Sequence, residues 1–232
     1  CEEEIIKMEK IVSNAMKSGA IGFATSTFEG HNGTNGIPMP SRFACNEEIS
    51  RLIKAMAIDG RGVFMLTKSN NTEIKDIVKL LGNVKRPAMI AALLDNPMKK
   101  DWAFNTLEDI KEAQEEGYEI WGQVSCRPLT MEFTMNEPYM LEGLSSWKEY
   151  MIQNTIEGRK RVLKNKSFRR KVLDEILDTT KNKLFVGNWN KIKLINTKNK
   201  GLLKHIGNNL IEISSHYGKE PFDWLLDNAI YN

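Results

Sequence analysis

The chain opens with apolar residues at spacings of three and four: Ile5, Met8, Val12, Ala15 and Met16, behind Glu2, Glu3 and Glu4. This pattern predicts an amphipathic helix over Glu2–Lys17, its acids set against the positive end of the helix dipole and its end marked by Ser18-Gly19. A short apolar run, Ala20–Thr25, predicts a strand, and a polar stretch with Gly30, Gly33, Gly36, Pro38 and Pro40 predicts a loop reaching Ala44. Asn46 is expected to cap a second helix over Glu47–Ile58. Gly62–Thr67 is apolar throughout and of strand length, as in sheets buried on both faces. Thr72 is expected to cap a helix over Glu73–Leu81, closed by Gly82, and Pro87–Leu94 reads as a third strand ending in a turn at Asp95-Asn96-Pro97. Thr106 and Asp109 form a capping-box pattern for a helix over Leu107–Glu116, and Tyr118–Ser125 reads as a fourth strand.

Strands starting near 20, 62, 87 and 118 with helices between them predict a parallel sheet flanked by helices. Neither GxGxxG nor GxxxxGK[ST] follows any strand, which argues against an open nucleotide-binding sheet. The alternative is a (β/α)8 TIM-type barrel, which takes about 250 residues and eight units. The expected fold is therefore one partial barrel domain over residues 1–232, with regular βα units over 1–128 and a more irregular, helical part over 129–232. In that second part, Ser145 or Ser146 is expected to cap a helix from about Trp147. The basic run Arg159–Lys171 reads as a solvated helix face over a buried stripe of Leu163, Phe168, Val172 and Ile176; a nucleic-acid arm is the other reading of that run. Lys183–Asn196 reads as one or two strands around Gly187-Asn188, and Leu210–Asn232 as two short helices, the second opening at Glu220-Pro221.

Composition narrows this picture only a little. Among 232 residues, 41% are hydrophobic and 27% charged, with a net charge of +3, so nothing in the balance calls for nucleic acid or a membrane surface. No apolar run approaches the ~20 residues of a membrane span, and no signal-peptide pattern opens the chain. Cys1, Cys45 and Cys126 are odd in number and far apart, which fits a reducing, cytoplasmic setting and neither a disulfide framework nor a CxxC metal site. The first residue is Cys running directly into a helix, and the chain is expected to be a piece of a longer one.

Candidate chemistry follows from the fold, because parallel α/β proteins gather their sites at the carboxyl ends of the strands. Those ends are Thr25–Thr27, Thr67-Lys68, Leu94-Asp95 and Gln123–Arg127. The long loop after the first strand adds donors and acceptors of its own. The candidate substrate-binding residues are Ser26, Thr27, His31, Asn32, Arg42, Lys68, Gln123 and Arg127, with Lys68 or Arg127 facing a carboxylate. Only His31, His205 and His216 offer imidazoles, and no HxH or HExxH occurs, so no complete metal site can be assembled from this chain. No Ser stands in a GxSxG context and no Cys has an evident His partner.

Four segments, GAIGFATSTFEGHNGTNGIPMPSRFA, GVFMLTKS, IWGQVSCRPLTMEFT and GKEPFDWLLD, resemble the D-aminoacylase branch of the amidohydrolase superfamily, the N-acyl-D-amino-acid deacylases. IPMPSR and QVSCRPL carry the resemblance most specifically. It implies a (β/α)8 hydrolase that cleaves non-peptide C–N amide bonds, deacylating N-acyl-D-amino acids through water activated by zinc or another divalent metal. In that family an aspartate after the last strand moves the proton. The resemblance further implies that the HxH of the first barrel strand precedes Cys1 and that the catalytic aspartate follows Asn232, in missing parts of the same polypeptide. Strand ends that carry a metal-binding histidine in the family read LTKSNN and AALLDN here, with Thr67 and Ala92 or Leu93 in roughly those places, so no metal ligand is carried over. The competing expectation is a catalytically altered barrel relative that binds a carboxylated small molecule without hydrolysing it.

Overall fold

The computed structural model of the protein describes residues 1–33, 37–69, 71–94, 100–180 and 183–231. It has two compact units: residues 1–31 with 38–130, and residues 32–37 with 131–232. The turn expected at Asp95-Asn96-Pro97 lies outside the described residues.

The first unit is a mixed α/β layer. Helix α1 (Glu2–Lys17) precedes strand β1 (Gly22–Ser26), then come α2 (Asn46–Met56), β2 (Val63–Thr67), α3 (Ile74–Leu81), β3 (Ala88–Ala91), α4 (Trp102–Glu115) and β4 (Ile120–Gln123). The strands form one parallel sheet in the order β1-β2-β3-β4. Phe64 pairs with Ala88 and Ala88 with Ile120, while Leu66 pairs with Ile90. These five side chains are buried and pack with Ile49, Ile53 and Met56 of α2, Ile77 and Leu81 of α3 and Ile110 of α4. Because side chains alternate along a strand, the opposite face carries Ala24, Met65, Met89 and Trp121 in one row, and Trp121 is 55% exposed. Arg51 of α2 ties down α1, donating to both Glu9 carboxylate oxygens at 2.8 and 2.7 Å and to Glu2 at 2.6 Å.

The second unit is helical. It contains α5 (Tyr139–Glu142), α6 (Lys148–Met151), α7 (Ile156–Lys164), α8 (Lys166–Leu177), α9 (Leu210–His216) and α10 (Pro221–Tyr231). Its centre is aromatic: the fully buried Trp147 ring lies 4.8 Å from Tyr150 and 5.4 Å from Phe168. The stripe expected on the basic run is there, with Leu163, Phe168, Val172 and Ile176 all buried. Asn165 sits at the corner between α7 and α8, and its side chain accepts from the Ser167 and Phe168 backbone N–H groups.

Several helix starts differ from the pattern in the sequence. Asn46 is the first residue inside α2, behind Cys45, and makes no cap. At α3 the cap is Glu73, in a reciprocal box with Asp76, and not Thr72. Helix α4 starts at Trp102, so Thr106 lies inside it and its hydroxyl donates back to the Trp102 carbonyl at 2.8 Å. Ser145 and Ser146 belong to a 3₁₀ turn whose backbone N–H groups donate to Glu175 of α8, at 2.9 and 2.8 Å. The strands expected over Lys183–Asn196 are not formed among the described residues: a 3₁₀ turn at Trp189–Lys191 and a single bridge, Lys193 to Asn209, take their place. Trp189 there turns inward between Phe185 and Phe222, at 4.7 and 5.7 Å, and this packing outweighs strand propensity. Among the described residues, no helix is long and apolar enough to cross a membrane.

Candidate functional site

Parallel pairing places the carboxyl ends of all four strands on one edge of the first unit. Ser26 pairs with Thr67 and Ala91 with Gln123, and the intervening register continues Leu66–Ile90 by one residue. Ser26, Thr67, Ala91 and Gln123 therefore form one row, on the face that carries Ala24, Met65, Met89 and Trp121. Two hydroxyls, a methyl and an amide stand directly above an apolar strip. Neighbouring parallel strands lie about 4.8 Å apart, so the row spans about 14 Å.

At the β1 end the row continues into a hydrogen-bonded cluster. Ser26 Oγ lies 2.6 Å from His31 Nδ1, accepts from the Phe28 backbone N–H at 3.2 Å, and is 3.5 Å from the Thr67 carbonyl oxygen. A hydroxyl has one proton to give. It goes either to Nδ1 or to the Thr67 carbonyl, and in the second case Nδ1–H donates to Oγ, so the direction of the Ser26–His31 bond follows the ring's tautomer. The His31 ring is held edge-on to Phe28 at 5.3 Å. Its carbonyl accepts from Arg42 Nη1 at 3.3 Å and from the Met39 backbone N–H at 3.4 Å, which folds the far end of the loop back onto the strand.

Beside it, the ends of β1 and β2 are cross-tied. Thr27 N–H donates to the Thr67 carbonyl at 3.0 Å, and Thr27 Oγ1 accepts from the Ser69 N–H at 3.0 Å. Ser69 Oγ in turn donates to Glu29 Oε1 at 2.7 Å. Lys68 is half-buried. Its ammonium donates to the Thr72 carbonyl at 2.8 Å and stands 4.8 Å from the centre of the Trp102 ring, a cation–π contact.

Of the residues expected at the site, Ser26, Thr27, His31, Arg42 and Lys68 come together around β1 and β2, and Gln123 shares their edge. Lys68 and Arg42 both hold backbone carbonyls, so each helps to shape the loops that frame the edge. Arg127 is exposed, four residues beyond β4, and its own backbone carbonyl accepts from Ser125 Oγ at 2.5 Å. Asn32 lies in the short segment grouped with the second unit. Ser69, Glu29 and Trp102 complete the cluster without having been singled out as site residues. One signal was available: Ser69 follows β2 as Ser26-Thr27 ends β1, so two hydroxyl-bearing strand ends lie side by side.

His205 and His216 lie in the second unit, rings 5.1 Å apart, with Tyr217 OH 3.3 Å from His205 Nε2. Burial pushes His205 below the usual imidazole value, and the charge of Lys204 and the neighbouring His216 add to this. His205 is buried and His216 is exposed. Among the described residues no three His, Cys, Asp or Glu side chains are grouped so as to hold a metal ion. No protein family, curated protein or solved structure matches this chain.

Proposed function

We propose that this chain supplies the substrate-binding edge of an amidohydrolase-type hydrolase that deacylates N-acyl-D-amino acids or related N-acylated small molecules. In this reading β1 to β4 are one arc of a (β/α)8 barrel. Four consecutive strands laid side by side in chain order are how a barrel is wound, whereas an open doubly wound sheet reverses its order partway. The observation that carries the reading is the row Ser26–Thr67–Ala91–Gln123 above the strip Ala24–Met65–Met89–Trp121. An N-acyl amino acid has a matching division, with amide and carboxylate for the polar row and an acyl or side chain for the apolar strip. In the tautomer protonated on Nε2, with Ser26 donating to Nδ1, His31 is then the donor to a substrate carbonyl or carboxylate oxygen.

The resemblance implies zinc or another divalent metal, but the donor set among the described residues does not fit one. His31 is the one imidazole of the cluster and its Nδ1 is engaged by Ser26. Residues of this chain bind and orient the substrate, and no step is routed through a metal. That donor set favours a second reading, a barrel relative that binds a carboxylated small molecule without cleaving it. Titration of the protein with N-acetyl-D-leucine, followed by assay of free D-leucine with and without added zinc, separates the two. Saturable binding with release of D-leucine supports the deacylase, binding without release supports the second reading, and absence of binding removes both.

A further inference from the structure

The strand-end cluster holds a contact that does more than substrate binding needs. Ser26 Oγ, at the carboxyl end of β1, lies 2.6 Å from His31 Nδ1. A hydroxyl within hydrogen-bond reach of an imidazole nitrogen is the pairing that turns a weak nucleophile into a strong one, because the ring takes the proton as the oxygen attacks. Neutral imidazole exchanges its tautomers through solvent, and both side chains are only half-buried. The form with Nδ1 as acceptor is therefore available whichever way the bond points at rest.

The surroundings hold the pair in place. The Phe28 N–H donates to Ser26 Oγ at 3.2 Å, and the Phe28 ring packs edge-on to His31 at 5.3 Å. The His31 carbonyl accepts from Arg42 Nη1 and the Met39 N–H, so the loop closes back on the residue that carries the imidazole. Ser26 heads the row Ser26–Thr67–Ala91–Gln123, and an amide lying along that row carries its carbonyl past Oγ. The Phe28 N–H then stands beside the carbonyl oxygen as it gains charge. In the binding mode proposed above, a substrate carboxylate accepts from His31 Nε2–H. That is the place where a catalytic triad sets its own carboxylate to steady the imidazolium.

We propose that Ser26 and His31 are a nucleophile and its general base, and that the strand-end cluster transfers acyl groups through an ester on Ser26. The proposal takes its substrate, but not its chemistry, from the deacylase reading. Oγ bonds to the acyl carbon while its proton passes to Nδ1. The C–N bond then breaks, and Nδ1–H gives that proton to the departing amine. Water attacks the Ser26 ester and gives a proton to Nδ1; the C–Oγ bond breaks, Oγ takes the proton back, and the carboxylic acid leaves. Treatment with p-nitrophenyl acetate and, separately, with an alkyl fluorophosphonate tests this, the labelled residue being located by peptide mass spectrometry. One acetyl or phosphonyl group per chain is expected, on Ser26. His31→Gln should slow acetylation at least about a hundredfold with unchanged circular dichroism. Ser215→Ala, at an exposed serine of the second unit, should react as the parent does. No labelling, labelling spread over several serines, or a His31→Gln protein that reacts at the parent rate would overturn the proposal and leave Ser26 as a tie of the loop. Where His31→Gln fails to fold, the site of labelling in the parent decides. Assay of free D-leucine from N-acetyl-D-leucine keeps the two readings apart. Release that persists in Ser26→Ala overturns the acyl-enzyme and keeps the deacylase, whereas labelling of Ser26 without release keeps the nucleophile and removes the deacylase.

Discussion

At the scale of single residues, two contacts make sharp predictions. The 2.6 Å Ser26–His31 contact couples the imidazole tautomer to the direction of the hydroxyl. Under the proposed function, nitrogen-detected NMR should show His31 protonated on Nε2 in the parent, and a mixture of tautomers in Ser26→Ala. The variant should also lose about 1 kcal/mol in urea unfolding, since the Phe28 N–H loses its acceptor as well. Glu175 is the second case. Burial acts to raise its pKa, but hydrogen bonds from Ser146 and Ser145 outweigh that and bring it down from 4.5 to about 2. The folded state therefore favours the ionised form. Its contribution is complete above the unfolded value and is lost as pH falls through about 2. Solvent screens this half-buried group, so Glu175→Ala should cost about 1 kcal/mol at pH 7. Urea melts repeated at pH 3 and below should show the difference between parent and variant shrinking toward zero.

At the scale of elements, β1 depends on a glycine for close approach. A Cβ at Gly22 would overlap the Val63 carbonyl oxygen, a backbone atom that cannot swing away. Gly22→Val should therefore push β1 off β2 and cost about 1–3 kcal/mol, seen as a lower urea midpoint. The same substitution should loosen the Ser26–Thr67 pairing and weaken any ligand binding at the strand ends. Strands β1 to β4 and the helices between them were legible because their apolar runs and 3.6-residue periodicities are uninterrupted. The caps were less so, because the acceptor can come from elsewhere: Glu175 serves the turn at Ser145 from thirty residues away. Trp189 explains the missed region over Lys183–Asn196, where a β-favouring composition is claimed by an aromatic cluster that no local pattern encodes. At the candidate site, position along the chain was enough to place Ser26, His31 and Lys68 near the strand ends. It could not show that Lys68 holds a carbonyl over Trp102, because that contact needs α4 to begin four residues before Thr106.

At the scale of the whole molecule, the sheet presents an imbalance. Its buried face meets α2, α3 and α4, while its other face lines up Ala24, Met65, Met89 and Trp121. Among the described residues, neither β1 nor β4 has a second strand neighbour, so each leaves an edge of backbone donors and acceptors. Parallel sheets are ordinarily covered on both faces, and open strand edges recruit other chains. Trp121 combines the two features, a large side chain 55% exposed on the last strand. Residues 1–232 alone should accordingly self-associate, with a sedimentation coefficient that rises with concentration and a thermal transition that depends on it. Trp121→Lys places a charge on this face and next to the β4 edge without touching the helix-covered core. It should shift the association to concentrations at least tenfold higher while leaving far-ultraviolet circular dichroism unchanged. A monomer whose melting is sharp and independent of concentration would mean that this face needs no cover, and the barrel-arc reading would lose its physical motive.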